Sequence, residues 1–295
     1  MERVGVIRLG PAAKSKAYYE LLKPRLSFLV VFSSGFGYVL GNYGNINWVS
    51  FIFFLVGGFA VSGSSVIINQ ILEKDFDAMM GRTKGRPIPT QRVSIRESAI
   101  YSFILGVFGV ILIFLSSNAL AAGLSFLSLL LYAFVYTPLK RVGPIAVFVG
   151  ALPGALPPLI GWAASHGAIT FEALLIFSIQ FLWQFPHFWA IAWVADEDYK
   201  RAGFRLLPNN GKKDLNTAVN IMVYTLFLLP LGLLPSLFEI TGHISAIVTT
   251  VCGVLFLAQT FTLMKDTSKQ NALRIMFGSF IYLPIVQITF LLDQL

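Results

Sequence analysis

Residues 98–136 read SAIYSFILGVFGVILIFLSSNALAAGLSFLSLLLYAFVY, with no Asp, Glu, Lys or Arg in the stretch. A membrane-crossing helix needs about 20 apolar residues to span a hydrocarbon core of about 30 Å, and this run is nearly twice that long. One crossing cannot use it all. Ser116-Ser117-Asn118 divides it, and short polar side chains of this kind favour a turn because they hydrogen-bond the nearby backbone. The stretch therefore reads as two spans, 98–116 and 118–136.

Working outward, comparable runs occupy 26–43, 48–71, 144–163, 172–194, 217–238, 244–264 and 274–292, so nine spans are expected. Composition agrees: of 295 residues, 56% are hydrophobic and only 12% charged, with a mean hydropathy of +0.74. That is too little charge to cover a water-facing surface. Abundant bulky apolar side chains exclude disorder, and the single cysteine, Cys252, excludes an intramolecular disulfide. The expected fold class is all-α, a polytopic membrane protein built as a bundle of nine transmembrane helices. It forms a single domain over 1–295, in which 1–17 is a basic cytoplasmic arm.

Charge tests this topology. The 22 Lys and Arg against 14 Asp and Glu give +8, which in a soluble protein would suggest nucleic acid. Six of the 22 lie in the N-terminal arm (Arg3, Arg8, Lys14, Lys16, Lys23, Arg25), and the others lie in the loops after spans two, four, six and eight. All 22 fall on one face. Lys and Arg collect on the cytoplasmic side of membrane proteins, so the N-terminus is expected to be cytoplasmic and the C-terminus exterior. The lipid bilayer, with no nucleic acid, accounts for the charge. The first 25 residues lack a short apolar stretch with a small-residue cleavage site. Glu2, Glu20 and few Ser speak against a transit peptide. A multi-pass protein of a bacterial inner (cytoplasmic) membrane is the expectation.

Acidic residues are as unevenly placed. Six of the 14 lie in two clusters, Glu73, Asp75 and Asp77 after the second span and Asp196, Glu197 and Asp198 after the sixth. If the second helix continues through the first cluster, Asn69, Glu73 and Asp77 recur every four residues and share one face. Two carboxylates and an amide one turn apart suit a hard cation such as Mg²⁺, which takes oxygen ligands and commonly binds through one or two carboxylates plus substrate phosphates. Beyond them Arg82 and Arg86 are themselves four residues apart, ahead of Pro87, and arginine's fork matches phosphate oxygens. The same residues also suit a solvated loop whose acids and bases pair among themselves. In the second cluster Lys200 and Arg201 again follow the acids, where a charged cap ending a helix is the simpler alternative.

Three further features mark the same region. Lys140 and Arg141 close the short loop begun by Tyr136-Thr137; they either grip phosphate or only anchor orientation. The fifth span carries Pro153, Pro157 and Pro158, and a helix so deprived of backbone donors is tolerated where it faces a cavity. His187 lies inside the sixth span. An intramembrane His is costly enough to suggest a ligand role, although packing against a neighbouring helix would look the same.

These pieces together resemble the UbiA superfamily of membrane prenyltransferases. The matching residues are Lys23-Pro24-Arg25, Asn69 to Arg86 with its Asp75-x-Asp77-x-x-Met80-x-Arg82-Thr83 core, Tyr136-Thr137 with Lys140-Arg141, and Gly154-Ala-x-Pro157-Pro158-x-x-Gly161-Trp162. Pro186-His187-Phe188-Trp189 and Asp198-Tyr199 with Ala202-Gly203 and Leu207-Pro208 complete the set and point to its haem-farnesylating branch. Glu73 stands where that family usually has Asp, and Gly143 and Ala146 stand where it has Thr and Asn. The resemblance implies a prenyltransferase that moves farnesyl from farnesyl diphosphate to haem B, with water addition, giving haem O and diphosphate. It implies Asn69, Glu73, Asp77, Arg82 and Asp198 as catalytic residues. Mg²⁺ would be held by Asn69, Glu73, Asp77, Asp196 and Asp198, the diphosphate by Arg82, Arg86, Lys140, Arg141 and Lys200, and haem by His187. Haem A synthase or a terminal oxidase assembly would receive the product. Two alternatives stand beside it: a related enzyme with a quinone precursor or chlorophyllide as acceptor, and a secondary transporter, since broken helices and a basic face suit one too.

Overall fold

A computed structural model describes residues 10–42, 44 and 46–295, the Asn210 side chain apart. Arg3 and Arg8 of the arm lie outside the described residues. The described chain is helical, with Thr241 and Gln294 forming an isolated bridge and no strand among the described residues.

Eight segments are long and apolar enough to cross a membrane. They are α3 (Trp48–Leu72), α5 (Ile95–Ser116), the Ala119–Leu139 run, α8 (Ile145–His166), α9 (Phe171–Val194), α12 (Leu215–Leu237), α13 (His243–Lys265) and α14 (Lys269–Leu292). The Ala119–Leu139 run comprises α6 (Ala119–Leu130), a π-helical turn (Leu131–Tyr136) and α7 (Thr137–Leu139). Where a ninth span was expected at 26–43, α2 (Pro24–Leu40) is an apolar helix of 17 residues, shorter than the other eight. α1 (Pro11–Leu21) docks on the bundle beside them, with Ala17 and Leu21 fully buried against Ile67, Ile88 and Val93.

Helix starts follow the sequence's polar punctuation. Asn118 of the Ser-Ser-Asn break accepts from the Ala121 amide at 2.9 Å, while its own amide donates to the Ala163 carbonyl at 2.7 Å. One side chain thus caps α6 and ties it to α8. Ser94 and Glu97 form a reciprocal capping box on α5.

α2 and α8 cross backbone to backbone. A Cβ at Gly37 would collide with the Pro158 carbonyl, and one at Gly161 would collide with the Ser34 carbonyl and the Tyr38 amide. Small residues permit such approach in a membrane, where packing must replace the hydrophobic drive. α8 remains helical through its prolines, and this leaves acceptors free. Pro158 has no N–H, so the Gly154 carbonyl loses its ladder partner. Gln180 Nε2 and Gln184 Nε2 of α9 donate to it instead, at 2.8 and 2.9 Å.

One local expectation is corrected. The helix does not run from Asn69 through Arg86. α3 stops at Leu72, Glu73 breaks it, and a six-residue α4 (Lys74–Met79) follows before Met80 turns extended. Past α4 the chain is held off the helical path from far along the sequence, where Asp198 accepts the Gly81 and Arg82 amides at 2.9 and 3.2 Å.

Candidate active site

The two acidic clusters are built alike. After α3, Glu73 (φ −103, ψ 10) breaks the helix before α4; after α9, Ala195 (φ −95, ψ 12) breaks it before α10 (Asp196–Arg201), also six residues long. Both short helices sit at the end of the bundle that carries the basic loops, and the Asp198 contacts to Gly81 and Arg82 join them.

Asn69, Glu73 and Asp77 do share one inward face despite the break, because the Asp77 amide still donates to the Glu73 carbonyl at 2.7 Å and the Glu73 amide to that of Asn69 at 3.0 Å. All three are buried. Each side chain meets a cation. Arg86 Nη1 donates to both Asp77 oxygens at 2.7 Å, Lys140 Nζ lies 2.9 Å from Glu73 Oε1 and 3.1 Å from Oε2, and Lys23 Nζ donates to Asn69 Oδ1 at 3.3 Å. The Asn69 amide donates to Thr137 Oγ1 at 3.1 Å. Asp77 thus pairs within its own segment while Glu73 and Asn69 meet residues far along the chain, and all three are buried, unlike a solvated loop. Arg86 and Lys140 offset the charges of Asp77 and Glu73, and the Lys23 amine adds a third basic group able to meet an anion.

Electrostatics differ among the three. Burial, reinforced by Arg86 and Lys140, pulls the Lys23 ammonium well below its ordinary pKa. Burial pushes Lys140 the same way, but Glu73 and the Tyr132 and Tyr199 phenols outweigh it and hold Lys140 above its ordinary value. In the sequence Lys23 is one of the basic residues ahead of the first span and part of Lys23-Pro24-Arg25; its approach to Asn69 goes with a left-handed backbone (φ 45) just before Pro24 that no local pattern announces.

The remaining candidates divide. Arg82 is exposed. Arg141 donates to the Leu72 carbonyl at 2.9 Å and lies over the Phe76 ring, 4.6 Å from its centre, so it finishes α3. Asp75 and Glu197 are exposed. Asp196 is buried in a polar hollow of about 750 Å³, paired with Lys200 at 2.9 Å and Lys213 at 3.1 Å. Asp198 turns away from that hollow toward residues 81 and 82, and the Gly81 N–H above all holds its carboxyl below the ordinary range. Replacing it, Asp198→Ala, is expected to speed amide hydrogen exchange at Gly81 and Arg82 by at least about tenfold, the equivalent of losing one charge-assisted hydrogen bond. Unchanged exchange would show that the turn holds itself.

Inward of the charges lies an apolar cavity of about 330 Å³. Its walls include Phe54, Val61, Ile160, Trp183 and Phe188, with Gly150, Pro153, Gly154 and Pro157 from α8. The predicted pocket beside the prolines is thus present. Tyr132 and Tyr136 line it, and Lys140 Nζ sits 4.7 Å from the centre of the Tyr136 ring, so one aromatic ring touches both the cavity and the charged cluster. The π-helical turn sets this up. Thr137 donates both its amide and, at 2.9 Å, its hydroxyl to the Tyr132 carbonyl five residues back, inserting an extra residue that re-aims the helix end, a device frequent at functional sites. Nothing in the sequence signals it. His187 also lines the cavity, stacked on Trp183 at 4.3 Å and bonded through Nδ1 to Ser279 Oγ at 2.8 Å.

A magnesium ion can be tested against these residues. Among the described residues no three His, Cys, Asp or Glu side chains converge into a cage. The donors are all oxygens, and Glu73 Oε1, although near Lys140, accepts no well-directed hydrogen bond while fully buried. That set fits an ion arriving with phosphate ligands of its own.

Comparison with known proteins gives one answer. The UbiA prenyltransferase family matches residues 30–283. A protoheme IX farnesyltransferase of Cytophaga hutchinsonii is 50% identical over 96% of this chain and 99% of its own length, and one of Flavobacterium psychrophilum is 41% identical over 94% of each. Among solved structures, a digeranylgeranylglyceryl phosphate synthase superposes with a TM-score of 0.79 at 21% identity, covering 95% of this chain and 98% of that one. A UbiA homologue from Archaeoglobus fulgidus bound to GPP and Mg²⁺ superposes at 0.64 and 14% identity, covering 93% and 99%.

Proposed function

The chain belongs to the UbiA prenyltransferase family, and from that premise we propose that it farnesylates haem B, using farnesyl diphosphate and water to yield haem O and diphosphate. The bond between the allylic carbon and the diphosphate oxygen breaks, the allylic carbon bonds to a haem vinyl group, and water adds to the neighbouring carbon with loss of one proton. The observation that carries this reading is that a buried cluster of carboxylates and basic groups adjoins an apolar cavity, with Lys140 over the Tyr136 ring that lines it. A prenyl diphosphate has that same division, a polyanion joined to a hydrocarbon tail.

Within this reading Arg86, Lys140 and Lys23 take the diphosphate, with Arg82 and Lys200 nearer solvent, and stabilise charge as it builds on the leaving group. Asn69, Glu73 and Asp77 would hold the magnesium, with Asp196 and Asp198 of the other short helix as the further ligands. Bound there, the metal supplies Lewis-acid stabilisation of the departing diphosphate. Arg141 steadies the end of α3. The apolar walls keep stray water from the allylic centre, and His187 faces the haem. The basic end is cytoplasmic, so the protein sits in a bacterial inner membrane with an exterior C-terminus, and haem O passes to haem A synthase or a terminal oxidase assembly.

The test is direct. Purified protein in lipid, given haem B, farnesyl diphosphate and Mg²⁺, is expected to form haem O detectable by mass. A chelator in excess should stop turnover, and restored Mg²⁺ should recover it. Prenylation of a quinone precursor or chlorophyllide, with haem B left unmodified, would reassign the acceptor.

A further inference from the structure

His187 has two ring nitrogens, and which one carries the proton decides what the other can do. Nδ1 lies 2.8 Å from Ser279 Oγ. That hydroxyl has one proton, and it is committed elsewhere: Ser279 Oγ lies 2.6 Å from the Met276 carbonyl, an acceptor with no proton to give. Such a short contact needs the hydroxyl hydrogen between the two oxygens. Ser279 therefore has only lone pairs to offer the imidazole, and Nδ1 must be the donor. Nε2 is then the unprotonated nitrogen. It makes no hydrogen bond to any described residue, and the ring lines the cavity.

Neighbouring contacts fix the ring as well as its tautomer. Trp183 stacks on it, and the Trp183 indole N–H donates to the Ser279 backbone carbonyl at 3.0 Å, so α9 is pinned to α14 on both sides of the imidazole. Phe280 meets the ring edge-on at 4.9 Å. The residue is buried, and so is Ser279.

We propose that Ser279 is a positioning residue for His187: its hydroxyl accepts the Nδ1–H hydrogen bond, donates its own hydrogen bond to the Met276 carbonyl, and so presents the bare Nε2 to the cavity as a ligand for the iron of a haem. This inference rests on the reading of His187 as the haem-facing residue. A partner of this kind fixes a histidine's tautomer and orientation and raises its basicity, and losing one typically weakens metal binding about 10- to 100-fold.

Two measurements test it separately. In the haem-free full-length protein with ¹⁵N-labelled histidine, His187→Ala identifies the His187 signals among the chain's three histidines. Nδ1 is expected to be the protonated nitrogen and Nε2 the bare one. A protonated Nε2 overturns the proposal whatever the protein binds. In haem B titrations followed by the Soret band, His187→Ala should abolish the axial-ligand signature. Ser279→Ala should weaken binding about 10- to 100-fold and shift the band, Ser279→Thr should restore it, and Ser279→Ala should add nothing in the His187→Ala background. An unchanged spectrum in His187→Ala removes the ligand reading and this inference with it. A lost signature in His187→Ala beside wild-type behaviour in Ser279→Ala removes only the inference.

Discussion

Asp77→Asn is expected to lower haem O formation by at least about 10²- to 10³-fold while the protein remains inserted and binds haem B normally. Asp77 has no exposed surface, and Arg86 grips both its oxygens at 2.7 Å. The amide keeps the size and removes the charge. Loss of one preorganised electrostatic group at a reacting centre costs catalysis on that scale. The loss should not be a folding effect, because the backbone bonds that set the corner do not involve the carboxylate: the Asp77 amide reaches the Glu73 carbonyl, and Thr83 Oγ1 reaches the Asp77 carbonyl at 2.9 Å. Asp77→Glu, which restores charge at a longer reach, should recover part of the rate. Near-normal turnover in Asp77→Asn would remove Asp77 from the machinery and weaken the magnesium assignment with it.

The second large effect concerns the scaffold. Gly161→Leu should destabilise the bundle by about 3 kcal/mol or more, at the upper end of what overpacking costs. Any side chain at 161 meets the Ser34 carbonyl and the Tyr38 amide, which are backbone and cannot rotate aside. α2 and α8 must then separate, carrying with them Ser33 and Ser34 on one wall of the cavity and Gly154 and Pro157 on another. Loss of monodispersity on heating, followed by size exclusion in detergent, measures it. Gly123→Ala is the control, since a Cβ there meets nothing within 4 Å. Equal behaviour of the two variants would show that the crossing has room to relax.

What could be read from the sequence and what could not follow a physical division. The eight long spans and the shorter apolar α2 were legible because each is a local property, a run of apolar side chains. The Ser-Ser-Asn break was legible for the same reason, and Asn118 acts there as its chemistry suggests. The shared face of Asn69, Glu73 and Asp77 was legible from spacing. The course of the chain after Asp77 was not, because the helical periodicity that reaches Arg86 competes with a carboxylate at Asp198, and the distant contact wins. Lys140 could be named as a cation near the site, but its pairing with Glu73 rather than solvent depends on the π-helical turn, whose cost is local and whose benefit is tertiary. Lys23 was hidden by its own backbone angle.

The carbonyl of Gly154, stripped of its helical donor by Pro158 and taken up by two glutamines from the next helix, ties three positions to a common fate. Were residue 158 to acquire an amide hydrogen, the carbonyl would close its own ladder, and the Gln184 carboxamide would lose its partner at the wall of an apolar chamber, while Gln180 would stay tethered through its oxygen to Ser33 and Gln287. Were both glutamines lost first, an orphaned oxygen would stand in hydrocarbon. Neither step leaves every polar group satisfied, so the imino ring and its attendant amides depend on one another.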